Sequence, residues 1–156
     1  MDLPDPIAQA VQPLFDALPL DEAMTELAPR KGAPDELKAI VRKIIKEPPI
    51  AENLPLQSAL WLYIDELDLS HEISQTLKDD TGSYWHGIMH RREGDFSNSH
   101  YWFNRAGQHP AMAALPGYDG HALVDEVAAA RPANPRDVVR KQQEEWANLF
   151  AWCANQ

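Results

Sequence analysis

The sequence has a single cysteine, few basic residues relative to its acidic ones, and no long apolar run. Cys153 alone excludes an intramolecular disulfide framework and a cysteine-rich zinc site. The longest uninterrupted apolar stretch, residues 59–64, is far shorter than the roughly 20 residues that a membrane-spanning helix needs. The 14 lysine and arginine residues are outnumbered by 24 aspartate and glutamate residues, which gives a formal net charge of −10. This balance argues against binding to nucleic-acid phosphates or to an anionic membrane surface.

Several targeting and cofactor signals are also missing. The first ten residues contain Asp2 and Asp5 but no lysine or arginine, whereas a secretory signal starts with basic residues followed by an apolar run. We therefore expect a cytoplasmic protein in which Cys153 is reduced. The glycine-rich loops that bind dinucleotides and phosphates are absent, as is the GxSxG serine turn, so we expect no nucleotide or flavin cofactor.

The residues that are present predict an all-α, single-domain helical bundle of six or seven helices. A chain of 156 residues with 44% hydrophobic residues is long enough for one domain with its own core. Its apolar residues recur at helical spacing, most clearly in residues 34–47, where an apolar stripe faces away from lysine and arginine. No segment shows the alternation expected of a strand.

The prolines divide this domain into three regions. Nine of the 13 prolines fall within the first 55 residues, so residues 1–50 are predicted to form short helices that cap the bundle. Asp5 is the expected N-cap of the first, and residues 20–28 are expected to add another turn of helix. Residues 55–107 are the central region, where 55–78 is one long helix or two joined near Asp65–Asp68, followed by helices at 83–92 and 97–106. Residues 119–156 supply C-terminal helices at 120–131 and from Asn134-Pro135 to the end.

Residues 83–110 carry small, turn and aromatic residues at regular positions, namely Gly87, Gly94, Phe96, Phe103 and Ala106, followed by Pro110. In this they resemble one helical hairpin of the tetratricopeptide-repeat family. The resemblance covers about 28 of the 156 residues, and no second copy follows. It implies a tetratricopeptide-like helical hairpin at this point and, as one function, binding of a peptide.

Five of the six histidines lie between positions 71 and 109, among aromatic residues. His86, His90 and Glu93 follow the spacing i, i+4 and i+7, which places them on one face of a helix. Two imidazoles one turn apart can chelate a divalent metal ion, and a carboxylate can complete the set. We therefore predict a metal site of His86, His90, Glu93 and His71, with zinc, iron, nickel or manganese as candidate ions.

The same region suggests catalytic roles. Glu93 is a candidate general base, and His100 is a candidate catalytic residue and the alternative to His71 as third donor. Arg91 and Arg105 are candidates to hold the acidic group of a small molecule or peptide. Asp65 and Asp68 are candidates to orient the imidazole of His71.

Other interpretations of these residues remain open at this stage. The histidines could be half-buried structural groups, or a metal-free acid–base site. Arg91 and Arg92 could form salt bridges with Glu93, with Asp95 or with another acidic helix. The five tryptophans and Cys153 are expected to pack in the core. The whole chain could instead be a non-catalytic, tetratricopeptide-like module for protein–protein interaction, so the sequence leaves open whether the protein is an enzyme.

Overall fold

The computed structural model describes residues 1–156, which form nine α-helices and one 3₁₀ helix without any strand. This confirms the all-α prediction, with more helices than the six or seven expected. The elements are α1 (Asp5–Ala17), α2 (Asp35–Ile44), α3 (Pro48–Ala51), α4 (Leu54–Tyr63), α5 (Leu67–Ser74), α6 (Asp80–Glu93), α7 (Phe96–Ala106), the 3₁₀ helix (Pro110–Ala114), α8 (Gly120–Ala130) and α9 (Arg136–Ala154).

Proline and left-handed residues set several helix boundaries. Pro48-Pro49 follows the end of α2 and opens α3, because proline is tolerated in the first turn of a helix. Residues 55–78 contain two helices, α4 and α5, and between them Asp65 adopts a left-handed φ of 65°.

Two expectations near the N-terminus are wrong. The N-cap of α1 is Pro4, and Asp5 is the first helical residue. Residues 20–28 form turns and bends instead of a helix. The segment 20–28, between Pro19 and Pro29, has too few residues for propagation to offset the cost of nucleating a helix.

The core is built around α4, in which every residue from Ala59 to Tyr63 is buried. One hydrophobic cluster joins side chains from α1 through α9, so the helices form one domain. Trp61, Trp85 and Trp146 are buried as expected, and the Trp146 indole donates a hydrogen bond to the Ala59 carbonyl at 3.0 Å. Trp152 is half-buried against the core, whereas Trp102 is half-buried outside it. Cys153 is also buried, and burial raises the pKa of its thiol to about 12.

Helices α6 and α7 form a tight hairpin. Gly94 ends α6 with a left-handed φ of 86°, and Asp95 accepts a hydrogen bond from the amide of Asn98 to cap α7. The helices approach closely at Gly87, where an added Cβ would lie 3.0 Å from the Phe103 ring. Ser99 donates a 2.7 Å hydrogen bond to the Gly87 carbonyl across the same contact. The two helices and their turn lie where they were predicted; the resemblance to a tetratricopeptide hairpin stays a prediction.

None of the nine helices is both long enough and apolar enough to cross a membrane.

Candidate metal centre

Helix α6 carries two of the three histidines at the candidate site. It is covered on nearly all sides, and every residue from Thr81 to Arg92 is buried. His86 and His90 lie one turn apart on one face, and their exposed fractions are only 3% and 7%. His71, which is half-buried, reaches the same place from α5.

The three imidazoles converge. Each offers a ring nitrogen, and the three nitrogens lie within 4.8 Å of one another. The ring centroids are 4.7 Å apart for His71 and His86, 5.5 Å for His71 and His90, and 4.9 Å for His86 and His90. Nitrogens bound to one zinc ion lie at most about 4.2 Å apart, which is twice the Zn–N bond length. Small side-chain movements would therefore bring the three nitrogens to the distances needed to bind one ion.

His86 is the most constrained member of the group. The indole of Trp102, from α7, stacks on its ring with centroids 3.9 Å apart and planes 7° apart. Burial lowers the pKa of His86 to about 3, with smaller contributions from His90, His71 and Lys78. Its Nδ1 is buried and has no hydrogen-bond partner. A buried polar nitrogen without a partner is costly unless a ligand occupies it.

His90 is oriented by a carboxylate. Its Nδ1 lies 2.9 Å from Oε2 of Glu93, and because a carboxylate only accepts, Nδ1 carries the proton. In neutral His90 the lone pair is then on Nε2, the form needed for a metal ligand. Asp95 is also close to this pair, but its two oxygens already accept hydrogen bonds from the backbone amide and side chain of Asn98.

The donor set suits a transition-metal ion. Three neutral imidazole nitrogens are typical ligands of zinc and related ions, and a carboxylate bonded to the far nitrogen of a ligating histidine is a common supporting group. Glu93 fits this supporting position, since its oxygen is already bonded to His90.

Two of the residues predicted to be catalytic, His100 and Arg105, lie apart from this group. His100, on α7, faces α8, where it contacts His121 and Asp125. Arg105 is exposed, and its guanidinium contacts the rings of Tyr101 and Trp102, 5.4 Å from the Trp102 centroid.

Arg91 belongs to the core. It is fully buried and forms a double hydrogen bond with Glu145 of α9, which agrees with the salt-bridge interpretation. Although burial opposes its charge, Glu145 raises the pKa of Arg91 above its ordinary value. Its guanidinium is paired and shielded, so the arrangement does not offer it to a substrate.

Asp65 does not orient His71. It pairs instead with Arg92, whose Nη2 lies 2.5 Å from Oδ1 of Asp65. Arg92 also donates to the carbonyls of Leu62 and Glu26. Asp68 is exposed and makes no hydrogen bond or ion pair through its side chain.

The sequence interpretation gave no specific role to Trp102 or to His121. The signal for Trp102 was available, since an aromatic residue on the return helix of a hairpin reaches the first helix. The pairing of His121 with His100 has no local signal, because the two residues are 21 positions apart. Comparison with protein-family models, curated proteins and solved structures finds no match to this chain.

Proposed function

We propose that this protein binds one divalent transition-metal ion through His71, His86 and His90, and that the ion activates water for a hydrolytic or lyase reaction. The observation that carries the proposal is the convergence of three imidazoles from two helices, one of which has a buried nitrogen without a hydrogen-bond partner. A metal ion would supply the partner that the buried nitrogen of His86 lacks.

A purely structural role accounts less well for the same group. Buried histidines that serve only packing normally have hydrogen-bond partners on their nitrogens. His109 is such a case, because its Nε2 lies 3.0 Å from the Thr81 hydroxyl and its Nδ1 accepts from the amide of Ala111. In the triad only His90 has a polar partner of this kind, namely Glu93.

The burial of the triad also favours a metal site over a peptide-binding groove. A groove would present His86 and His90 on a shallow exposed surface without a third imidazole. Instead both are almost fully buried, and His71 completes the group.

The donor types indicate which ions and which chemistry the site would support. Imidazole suits zinc, iron, nickel and copper, whereas manganese prefers carboxylate and water ligands. Three protein ligands leave a position for water, and a catalytic zinc ion lowers the pKa of bound water to about 7. Glu93 then acts by holding His90 in the tautomer that ligates.

The test is the metal content of protein purified without a histidine tag, measured by plasma mass spectrometry. We compare the wild type with the His86→Ala/His90→Ala variant, and use circular dichroism to check that both remain folded. The proposal expects nearly one ion per wild-type chain and a loss of most of it in the variant.

The matched control is the His100→Ala/His121→Ala variant, which also removes two imidazoles but leaves the triad intact. It should keep the wild-type metal content. If wild type takes up no metal even after incubation with zinc, nickel or cobalt, or if both variants lose metal equally, the triad is not a metal site.

A further inference from the structure

A second histidine pair joins α7 to α8, away from the metal site. Nδ1 of His100 and Nδ1 of His121 are 2.7 Å apart, and the ring planes differ by only 7°. The ring centroids are 5.0 Å apart, so the nitrogens are much closer than the ring centres and the bond joins the two ring edges. On its other side, Nε2 of His100 lies 3.0 Å from the Asp125 carboxylate.

These contacts fix where the protons lie in the neutral pair. A carboxylate only accepts, so Nε2 of His100 carries a proton and its Nδ1 holds the lone pair. Nδ1 of His121 must then donate to Nδ1 of His100, which leaves the lone pair of His121 on Nε2. Nε2 of His121 has no hydrogen-bond partner in the protein and is not buried.

The chain of contacts lets His121 accept a proton while the charge is stabilised elsewhere. When Nε2 of His121 takes up a proton, the proton on its Nδ1 can pass to His100. The resulting imidazolium of His100 keeps its hydrogen bond to Asp125, which remains ionised. A carboxylate that orients one imidazole and stabilises its charge is the arrangement used by catalytic triads.

His121 lines a cavity of about 520 Å³, a volume typical of a small-molecule site. The rings of Phe103 and Tyr118 and the amides of Asn104 and Gln108 form part of its wall. No lysine or arginine lines it, and Asp119 is its one carboxylate. An uncharged or cationic molecule therefore fits this cavity better than an anion.

We propose that His121, supported by His100 and Asp125, is a general base in this cavity that hydrolyses small uncharged or cationic esters without a metal ion. Nε2 of His121 removes a proton from a water molecule while the water oxygen bonds to the acyl carbon. The acyl C–O bond then breaks, and the alcohol oxygen receives the proton held by His121. The products are the carboxylic acid and the alcohol, and the histidine pair returns to its neutral form.

The test is hydrolysis of 4-nitrophenyl acetate by the whole protein in the presence of a chelator, which removes any contribution from the proposed metal site. His121→Ala should lower the rate above background about 100-fold, the lower end of the range for general-base catalysis. Asp125→Asn should lower it only severalfold, because the Asp125 side chain is 74% exposed and its charge is screened.

Two further comparisons test the role of the histidine pair and its charge preference. Glu126→Gln removes the carboxylate next to Asp125 on α8, which is paired with Lys141 and not with a histidine, and it should hydrolyse the ester as fast as wild type. The anionic ester 4-nitrophenyl succinate should react more slowly than the acetate, relative to their rates in free imidazole. Equal rates for wild type and His121→Ala would overturn the role of His121, and equal relative rates for the two esters would overturn the ligand class.

Should His121→Ala fail to fold, the wild type supplies an independent measurement. Diethyl pyrocarbonate acylates unprotonated, accessible imidazole nitrogens, and peptide mass spectrometry identifies which of the six histidines react. His121 should react before His86 and His109, which are buried, and more slowly in Asp125→Asn than in wild type. An unreactive His121 would overturn the proposal.

Discussion

The buried polar side chains on the two sides of helix α6 have different kinds of hydrogen-bond partner. Arg91 faces α9, where both its terminal nitrogens bond the carboxylate of Glu145. Arg92 faces α4, where one terminal nitrogen bonds the Leu62 carbonyl and the other bonds the Asp65 carboxylate. His86 and His90 face α5 and α7, and their only carboxylate is Glu93, one turn along the same helix. Both sides are buried, so burial alone does not distinguish them.

The difference lies in which polar atoms are left without a partner. On the arginine side the partners neutralise the charge, and Tyr118 adds a further hydrogen bond to Glu145. The nitrogens left unpaired there are the Nε–H donors of Arg91 and Arg92, which have no lone pair to offer a metal ion. On the histidine side a buried nitrogen of His86 has no partner, and three lone-pair donors crowd together. We therefore base the metal-site proposal on the grouped imidazole nitrogens and not on the presence of ionisable residues.

Removal of the ion pair between Arg91 and Glu145 should have the largest effect on the free energy of unfolding. Arg91→Met leaves Glu145 buried without its cation, and removal of one partner of a buried pair costs about 3–5 kcal/mol. Urea unfolding measures the change. The matched Arg91→Met/Glu145→Leu variant should recover most of the loss, because it leaves no unpaired charge. If the single variant lost less than about 1 kcal/mol, the pair would not be the structural element described here.

Substitution of His71 in the triad should change the free energy of unfolding only when metal is added. Zinc at 100 times its dissociation constant should stabilise the wild type by about 2.7 kcal/mol. His71→Ala should lose most of this gain while its metal-free stability changes little, since His71 is only half-buried. Urea unfolding with and without zinc measures both quantities, and His100→Ala is the control. Equal stabilisation of wild type and His71→Ala would remove His71 from the site.

Removing the supporting carboxylate should have a smaller effect than removing a ligand. Glu93→Ala should weaken metal binding 10- to 100-fold, because outer partners of ligating histidines typically contribute this much. Glu93→Gln should fall between this variant and wild type, since its amide oxygen still accepts from Nδ1 of His90. Isothermal titration with zinc measures the affinities.

Glu72→Ala controls for the loss of one negative charge beside the site, because Glu72 is exposed and follows His71 directly. If this variant weakened zinc binding as much as Glu93→Ala, Glu93 would act through its charge alone and not by orienting His90.

Several of these features can be predicted from residues that are close together in the sequence. The spacing of His86, His90 and Glu93 is sufficient to place them on one helical face, and Gly94 followed by Asp95 is sufficient to predict the turn after α6. The apolar spacing also predicts most of the helices, because each needs only neighbouring residues. The short N-terminal segments were the exception, since prolines interrupt their periodicity.

The remaining features depend on contacts between distant residues. His71 and His100 were both candidates for the third donor, and only the packing of α5 against α6 decides between them. The partner of Arg91 is 54 residues away on α9, so the spacing around Arg91 carries no signal that this arginine is buried. For the same reason the cavity beside His121 was not predicted.

The smallest effect concerns His109, a buried histidine whose two nitrogens both have partners. Burial lowers the pKa of His109, although Asp80 and Asp79 oppose this effect. The unfolded chain, in which a histidine has a pKa of about 6.5, therefore binds more protons than the folded protein below that pH. His109 therefore contributes fully to the free energy of unfolding above pH 6.5, and this contribution is lost as the pH falls below that value.

His109→Gln should flatten the pH dependence of stability, because glutamine keeps polar contacts but does not titrate. We expect the wild type to lose more stability than this variant between pH 7 and pH 5.5, by less than about 1 kcal/mol. Urea unfolding at several pH values measures the two slopes, and comparing slopes cancels any constant cost of the substitution. A variant that loses stability as steeply as wild type would show that His109 becomes protonated without unfolding. In that case its paired nitrogens would not distinguish it from the histidines of the metal site.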